Sequence, residues 1–242
     1  MTFARRFVAE GLGTAFLLAV VVGSGIMAER LAGGNVAIAL LANAIATGAG
    51  LVALILMLGT ISGAHFNPVV TLSEAWQNNM PMVEVGPYIV AQIIGAFAGV
   101  AAAHLMFEAP ILMASQHART GGAQWWSEFV ATFGLIAVII GCSRSRPSVT
   151  PFAVAAYITA AYWFTSSTSF ANPAVTLARS ATDTFAGIRP GDAPGFIAAQ
   201  LLGAAAATVV FCWLYPPAPH DATVGGTVAP SDFATAQKNS PS

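Results

Sequence analysis

Apolar positions fill most of this chain in long blocks, and the polar positions gather in short clusters between them. The blocks fall at about 7–28, 36–58, 85–107, 126–141, 151–166 and 194–215. About 20 consecutive apolar residues cross the hydrocarbon core of a bilayer as a helix, so the pattern predicts an all-α membrane protein with six spans. The breaks are Ala32-Gly33-Gly34-Asn35, Gln77-Asn78-Asn79-Met80-Pro81, Gln116 to Gly122, Ser143 to Pro147 and Arg189-Pro190-Gly191-Asp192. Two further runs, Val69 to Trp76 and Ala174 to Ala181, suit a helix but are far too short to cross. Each follows an Asn-Pro pair. Asn favours the N-cap, and Pro favours the first helical position, where its missing N–H would have no partner. These runs are predicted as re-entrant half-helices. Non-helical backbone at that depth is tolerated only where it is buried in protein or lines a wet cavity. Beyond Tyr215 the sequence turns to Pro, Ala, Thr, Ser and Asp, which predicts a disordered polar tail over 216–242.

Composition agrees with a lipid-facing chain. Of 242 residues 56% are hydrophobic and only 8% charged, where a soluble domain carries about 25% charged. Net charge is −1 with no basic block, which excludes a nucleic-acid partner. Cys142 and Cys212 lie in or beside apolar segments and are expected as packed residues rather than a disulfide. Arg5-Arg6 before an apolar run imitates a secretory leader. That run contains Glu10, however, and its pattern recurs near residue 128, so it reads as a retained span. Arg5, Arg6, Arg144, Arg146 and Lys238 fall on one side of a six-span chain, and Arg30, Arg119, Arg179 and Arg189 on the other. This narrow excess places both termini in the cytoplasm of a bacterial inner membrane.

The chain is internally duplicated. Ala9-Glu10-x-x-x-Thr14 matches Ser127-Glu128-x-x-x-Thr132, and Asn67-Pro68-Val69-Val70-Thr71-Leu72 matches Asn172-Pro173-Ala174-Val175-Thr176-Leu177. Ala91-Gln92-Ile93-Ile94-Gly95-Ala96 matches Ala199-Gln200-Leu201-Leu202-Gly203-Ala204. Each half holds three spans, so the second enters the membrane from the opposite side. Inverted repeats of this kind place a pathway near the bilayer midplane, at the interface between halves.

The runs Ser62-Gly63-Ala64-His65-Phe66-Asn67-Pro68-Val69-Val70-Thr71 and Phe170-Ala171-Asn172-Pro173-Ala174, with the paired Glu and Gln motifs, resemble the aquaporin and aquaglyceroporin family, the major intrinsic proteins. The resemblance spans roughly residues 5–215. It implies the aquaporin fold in a channel domain over 1–215, with repeats at about 5–110 and 123–215. It also implies a homotetramer with a pore in every subunit, passive flow of small uncharged solutes, no enzymatic step and no cofactor. Asn67, Pro68, Val69, Asn172, Pro173 and Ala174 would form the central constriction. The narrow filter, carried over by spacing from the two Asn residues, would be Thr47, Ala160, Ser169 and Val175. Most of the family has Arg at the last of these and a bulky aromatic at the first; both are replaced here by small side chains. A wider opening with a weaker cation barrier follows. The Asn-Pro-Ala-Val-Thr-x-Ala-Arg run is similar to that of aquaglyceroporin-like proteins of arsenic-resistance operons. That similarity implies arsenite, neutral as its trihydroxide, and methylarsenicals as solutes, with glycerol and water.

Several residues have two readings. Arg179 could be a displaced cation at the outer mouth or a surface partner of Asp183, and the i,i+4 spacing favours the surface pair. Glu10 and Glu128 could be proton relays, but their equivalent places in the repeat favour acceptors for the unwound backbone before each half-helix. His65 resembles the family's inner-pore histidine and is expected on the pore wall. His104, His117 and His220 lack metal-ligand spacing and are expected at the surface or interface; no metal site is expected. An ordinary water or glycerol facilitator and a proton-coupled transporter remain the competing functions.

Overall fold

A computed structural model describes residues 1–215; the expected tail over 216–242, including His220 and Lys238, lies outside the described residues. Eight α-helices follow one another: α1 Phe3–Leu31, α2 Val36–Ser62, α3 Pro68–Trp76, α4 Met82–Met106, α5 Gly122–Ser145, α6 Thr150–Phe164, α7 Pro173–Arg179 and α8 Ala193–Leu214. Asn35 starts α2 by accepting the N–H groups of Ala37 and Ile38, and Gly63 ends it in the left-handed conformation that a Cβ disfavours.

α1, α2, α4, α5 and α8 are long and apolar enough to cross a bilayer. α6 has 15 residues and is about 22 Å long at 1.5 Å per residue. A 3₁₀ turn at Pro147–Val149 leads into it and lengthens the segment. This fifth crossing in chain order ends two residues before its apolar block at 151–166 does, because the chain unwinds after Phe164 to enter the second re-entrant loop. Together these elements make six crossings and two half-helices.

The halves repeat one packing scheme. α1 lies along α4 and against α2; α5 lies along α8 and against α6; α2 against α6 joins the halves. Each half-helix crosses over: α3 packs on α4 and α8, and α7 on α8 and α4. In lipid, close backbone approach takes the place of the hydrophobic drive between helices. A Cβ at Gly95 or Gly99 would fall on the carbonyl oxygens of Gly11 or Ala15, and one at Gly203 on that of Phe129. The repeat-equivalent glycines therefore set the two tightest helix pairs. Large apolar side chains such as Phe16, Ile45, Leu56, Ile94, Phe152, Leu202 and Val209 point outward, as a lipid-facing surface requires.

Polar contacts finish both ends. At the end carrying the N-terminus, Arg6 pairs with Glu84, and Arg144 donates to Gln77 and to the Tyr215 carbonyl. At the other end Arg30 donates to the Phe107 carbonyl, and the Arg119 N–H to Asp192. His104 is fully buried rather than superficial. Its imidazole bridges the Thr182 hydroxyl, 2.6 Å away, and the Ile111 carbonyl, 3.0 Å away, and so ties two outer loops to the end of α4.

Candidate functional site

The two half-helices meet head to head through their caps. The Asn67 side chain accepts the Val69 N–H, and that of Asn172 accepts those of Ala174 and Val175. With the amide oxygens so engaged, each amide nitrogen reaches into the opposite half. Asn67 donates to the Ala171 carbonyl and Asn172 to the Phe66 carbonyl, both at 2.8 Å. An amide nitrogen carries two hydrogens, so one on each Asn is left for the cavity that both residues line.

The backbone before each cap is unwound in a repeated way. Ala64 and Phe66 in the first half, and Ser169 and Ala171 in the second, hold positive φ of 48–53°. That region is uncommon outside glycine and persists only where surroundings enforce it. The enforcing groups are the two buried acids. Glu10 accepts from Ser62 Oγ, the His65 and Phe66 N–H groups and Gln92 Nε2, at 2.6–3.0 Å. Glu128 accepts the Phe170 and Ala171 N–H groups and Gln200 Nε2, at 2.6–2.9 Å. Gln92 and Gln200 continue to Thr71 and Thr176, whose hydroxyls donate to the Asn67 and Asn172 carbonyls. Both acids are buried and neither lines the cavity.

One cavity of about 280 Å³ passes the two Asn residues. Its wall carries Glu74, Ser143 and Thr150 toward the terminal end and Thr47, Tyr162, Ser169, Val175 and Arg179 toward the other. His65 is on the wall, with Nδ1 3.1 Å from the Thr71 hydroxyl and its ring 5.5 Å from that of Tyr88. Pro68, Val69, Pro173 and Ala174 are buried behind the Asn residues and brace the half-helix starts.

Of the four filter positions, Thr47, Ser169 and Val175 line the cavity, and Ala160 does not. Ala160 is exposed on the outer face of α6. The positions facing inward are Val154, Ile158 and Tyr162, and the Tyr162 and Thr47 hydroxyls lie 3.2 Å apart. Counting back from Asn172 misplaces this position by two residues, because the phase of α6 does not carry through the unwound stretch. A signal for the right set does exist. Thr47/Leu51/Ile55, Leu135/Ile139/Ser143 and Thr150/Val154/Ile158/Tyr162 recur every four residues, and all lie on the wall.

Arg179 is not a surface residue. It is 2% exposed, its guanidinium lies 3.4 Å from the centre of the Phe170 ring, and its Nε donates to the Ala186 carbonyl. Asp183 instead accepts the Gln116 N–H, so the expected pair does not form.

Known proteins share this architecture. The family described as Major intrinsic protein matches residues 1–166. The chain is 57% identical to aquaglyceroporin AqpS of Rhizobium meliloti over 88% of its own length and 91% of the relative's. It is 32% identical to the probable aquaporin AqpM of Archaeoglobus fulgidus over 89% and 97%. The X-ray structure of the aquaglyceroporin from Plasmodium falciparum superposes with a TM-score of 0.62 at 21% identity, covering 88% of this chain and 96% of that one. The likeness in fold and the extent of these matches place the chain in the major intrinsic protein family, whose members are passive membrane channels and not enzymes.

Proposed function

We propose that residues 1–215 act as one channel unit with a wide filter, passing glycerol and neutral trihydroxides such as arsenite as well as water, and methylarsenicals where they are uncharged. The observation that carries this reading is that Val175 and Thr47 both line the cavity, small side chains where an Arg and a large ring would narrow it. Tyr162 and Ser169 complete the proposed filter and supply hydroxyls to a polyol, while Ile158 and Val154 give it an apolar flank. The free amide hydrogens of Asn67 and Asn172 replace one or two waters of hydration as a solute crosses the middle. The half-helix N-termini there repel cations. The glycerol in the name of the relative AqpS is consistent with this substrate class.

A proton-coupled transporter is disfavoured. Glu10 and Glu128 each have their oxygens filled by donors and stand behind the wall, out of a solute's reach. The channel is proposed to sit in a bacterial inner membrane as a homotetramer with both termini cytoplasmic. Flux of glycerol and arsenite into proteoliposomes tests the reading, with rates well above those of protein-free vesicles expected and no dependence on a pH gradient. Rates equal to protein-free vesicles would remove it. Val175→Arg should retain water flux while cutting glycerol and arsenite flux at least about tenfold, since the new guanidinium occupies the opening. An unchanged solute profile would favour the ordinary facilitator.

A further inference from the structure

Where the cavity opens away from the termini, two guanidiniums share one aromatic ring. Arg179 Cζ stands 3.4 Å and Arg119 Cζ 5.1 Å from the Phe170 ring centre. A buried guanidinium is ordinarily paired with a carboxylate. Neither of these is: among the described residues no acid lies within ion-pairing reach of either side chain. The nearby acids are already taken, Asp183 by the Gln116 N–H and Asp192 by Arg189 and the Arg119 backbone. Arg119 spends its side-chain donors on the carbonyls of Gly187 and Ser167 and on the Thr168 hydroxyl. Arg179 spends only Nε, on the Ala186 carbonyl, which leaves the terminal nitrogens of a cavity-lining guanidinium without a protein acceptor.

A second group marks the same place. Ser169, on the wall beside Val175, is 3% exposed, and its hydroxyl has no hydrogen-bond partner. Nearly all buried polar groups find a partner. Here a charged donor pair and an idle hydroxyl face one space, and the Phe170 ring beside them is capped by cations.

The geometry points to an anion subsite in this vestibule, in which the terminal nitrogens of Arg179 and the Ser169 hydroxyl hold a small monoanionic oxyacid, with Arg119 adding field from behind Phe170. Two parallel N–H donors match two oxygens on one centre, the arrangement guanidinium makes with carboxylates and phosphates. The ligand class is a tetrahedral or planar oxyacid carrying one charge and a small apolar substituent, which would rest against Val175. The site rests on the cavity alone and goes beyond conduction of neutral solutes.

Methanesulfonate is a suitable probe because it stays ionised at any accessible pH and cannot leak through lipid as a free acid. Isothermal titration of the detergent-solubilised full chain should show one saturable site per chain with a dissociation constant of about 1–10 mM. In proteoliposomes the same concentrations should slow glycerol flux. Arg179→Gln should weaken binding at least about tenfold, Ser169→Ala about threefold, and Arg179→Lys should restore part of the Gln loss. No binding to the unaltered chain up to about 100 mM overturns the site, even if no variant folds. Equal affinity in Arg179→Gln, shown folded by its elution and melting, overturns it too. Binding in detergent without any glycerol flux would leave the subsite standing and remove the neutral-solute reading instead.

Discussion

A single carboxylate can decide whether a membrane protein keeps its pathway open. Glu128 holds the Phe170 and Ala171 N–H groups, and with the Asn67 amide on the Ala171 carbonyl it supports the positive φ of Ala171. Replacing the acid by Gln turns one acceptor into a donor that faces donors. Glu128→Gln should therefore cost about 3 kcal/mol, read as a lowered melting midpoint in detergent, and Glu10→Gln should cost about the same. A relay residue would behave differently, losing transport while keeping stability. The exposed Ala160 and the inward Ile158, two positions apart on α6, make a second contrast. Ala160→Trp should leave glycerol flux in proteoliposomes within about twofold of the parent, whereas Ile158→Trp should abolish it, since only one of these rings enters the cavity. Equal effects would mean that the face of α6 is wrongly assigned. At this scale the places of the acids and the Asn caps were legible, as was the presence of Thr47, Ser169 and Val175 on the cavity wall, because each sits at a fixed distance from a repeated motif. Arg179 was legible only as one of two readings, and spacing favoured the wrong one, because its partners are a carbonyl of the following loop and an aromatic ring, and neither leaves a mark in spacing. His104 was hidden for the same reason, held by a loop carbonyl and a threonine far along the chain.

Between helices, small residues carry the information. Gly95 and Gly99 let α1 and α4 touch backbone to backbone, and Gly203 does the same for α5 and α8. Gly59, also inside a helix, has open space where a Cβ would stand. Gly95→Val and Gly203→Val should each lower stability by about 2–3 kcal/mol through forced separation of the pair. Gly59→Ala should be neutral or stabilising by about 0.5–1 kcal/mol, since it only stiffens the unfolded chain. Melting of the three purified variants checks the contrast. All six crossings, and the start of both half-helices, could be read from apolar length and capping chemistry. α6 ends two residues before its apolar block does, at a hydroxyl-rich run, Thr165 to Ser169, whose side chains bond nearby backbone instead of continuing the helix.

For the molecule as a whole, the duplication predicted both the arrangement and the direction of the second half, since an odd number of spans must reverse it. Assembly is a different matter: a lipid-facing helix and a subunit-facing helix have the same composition, and outward side chains such as Phe16 and Ile45 fit either. The proposed tetramer predicts a protein mass of about four times 24.8 kDa in detergent, measurable by light scattering. A monomer of full conductance would show that each chain works unaided and that assembly serves something else.

The crossed Asn contacts also set an order of events during synthesis. The amide of Asn67 is fastened by the carbonyl of Ala171, a residue the ribosome adds only after four further helices, α3 to α6, are complete. Until then the early re-entrant loop has a carboxylate to hold its backbone but nothing to clasp its tip. The growing polypeptide therefore carries an unfinished polar loop at membrane depth for about 5–20 s at ordinary elongation rates, and whatever shelters that loop in the meantime is part of how this channel is made.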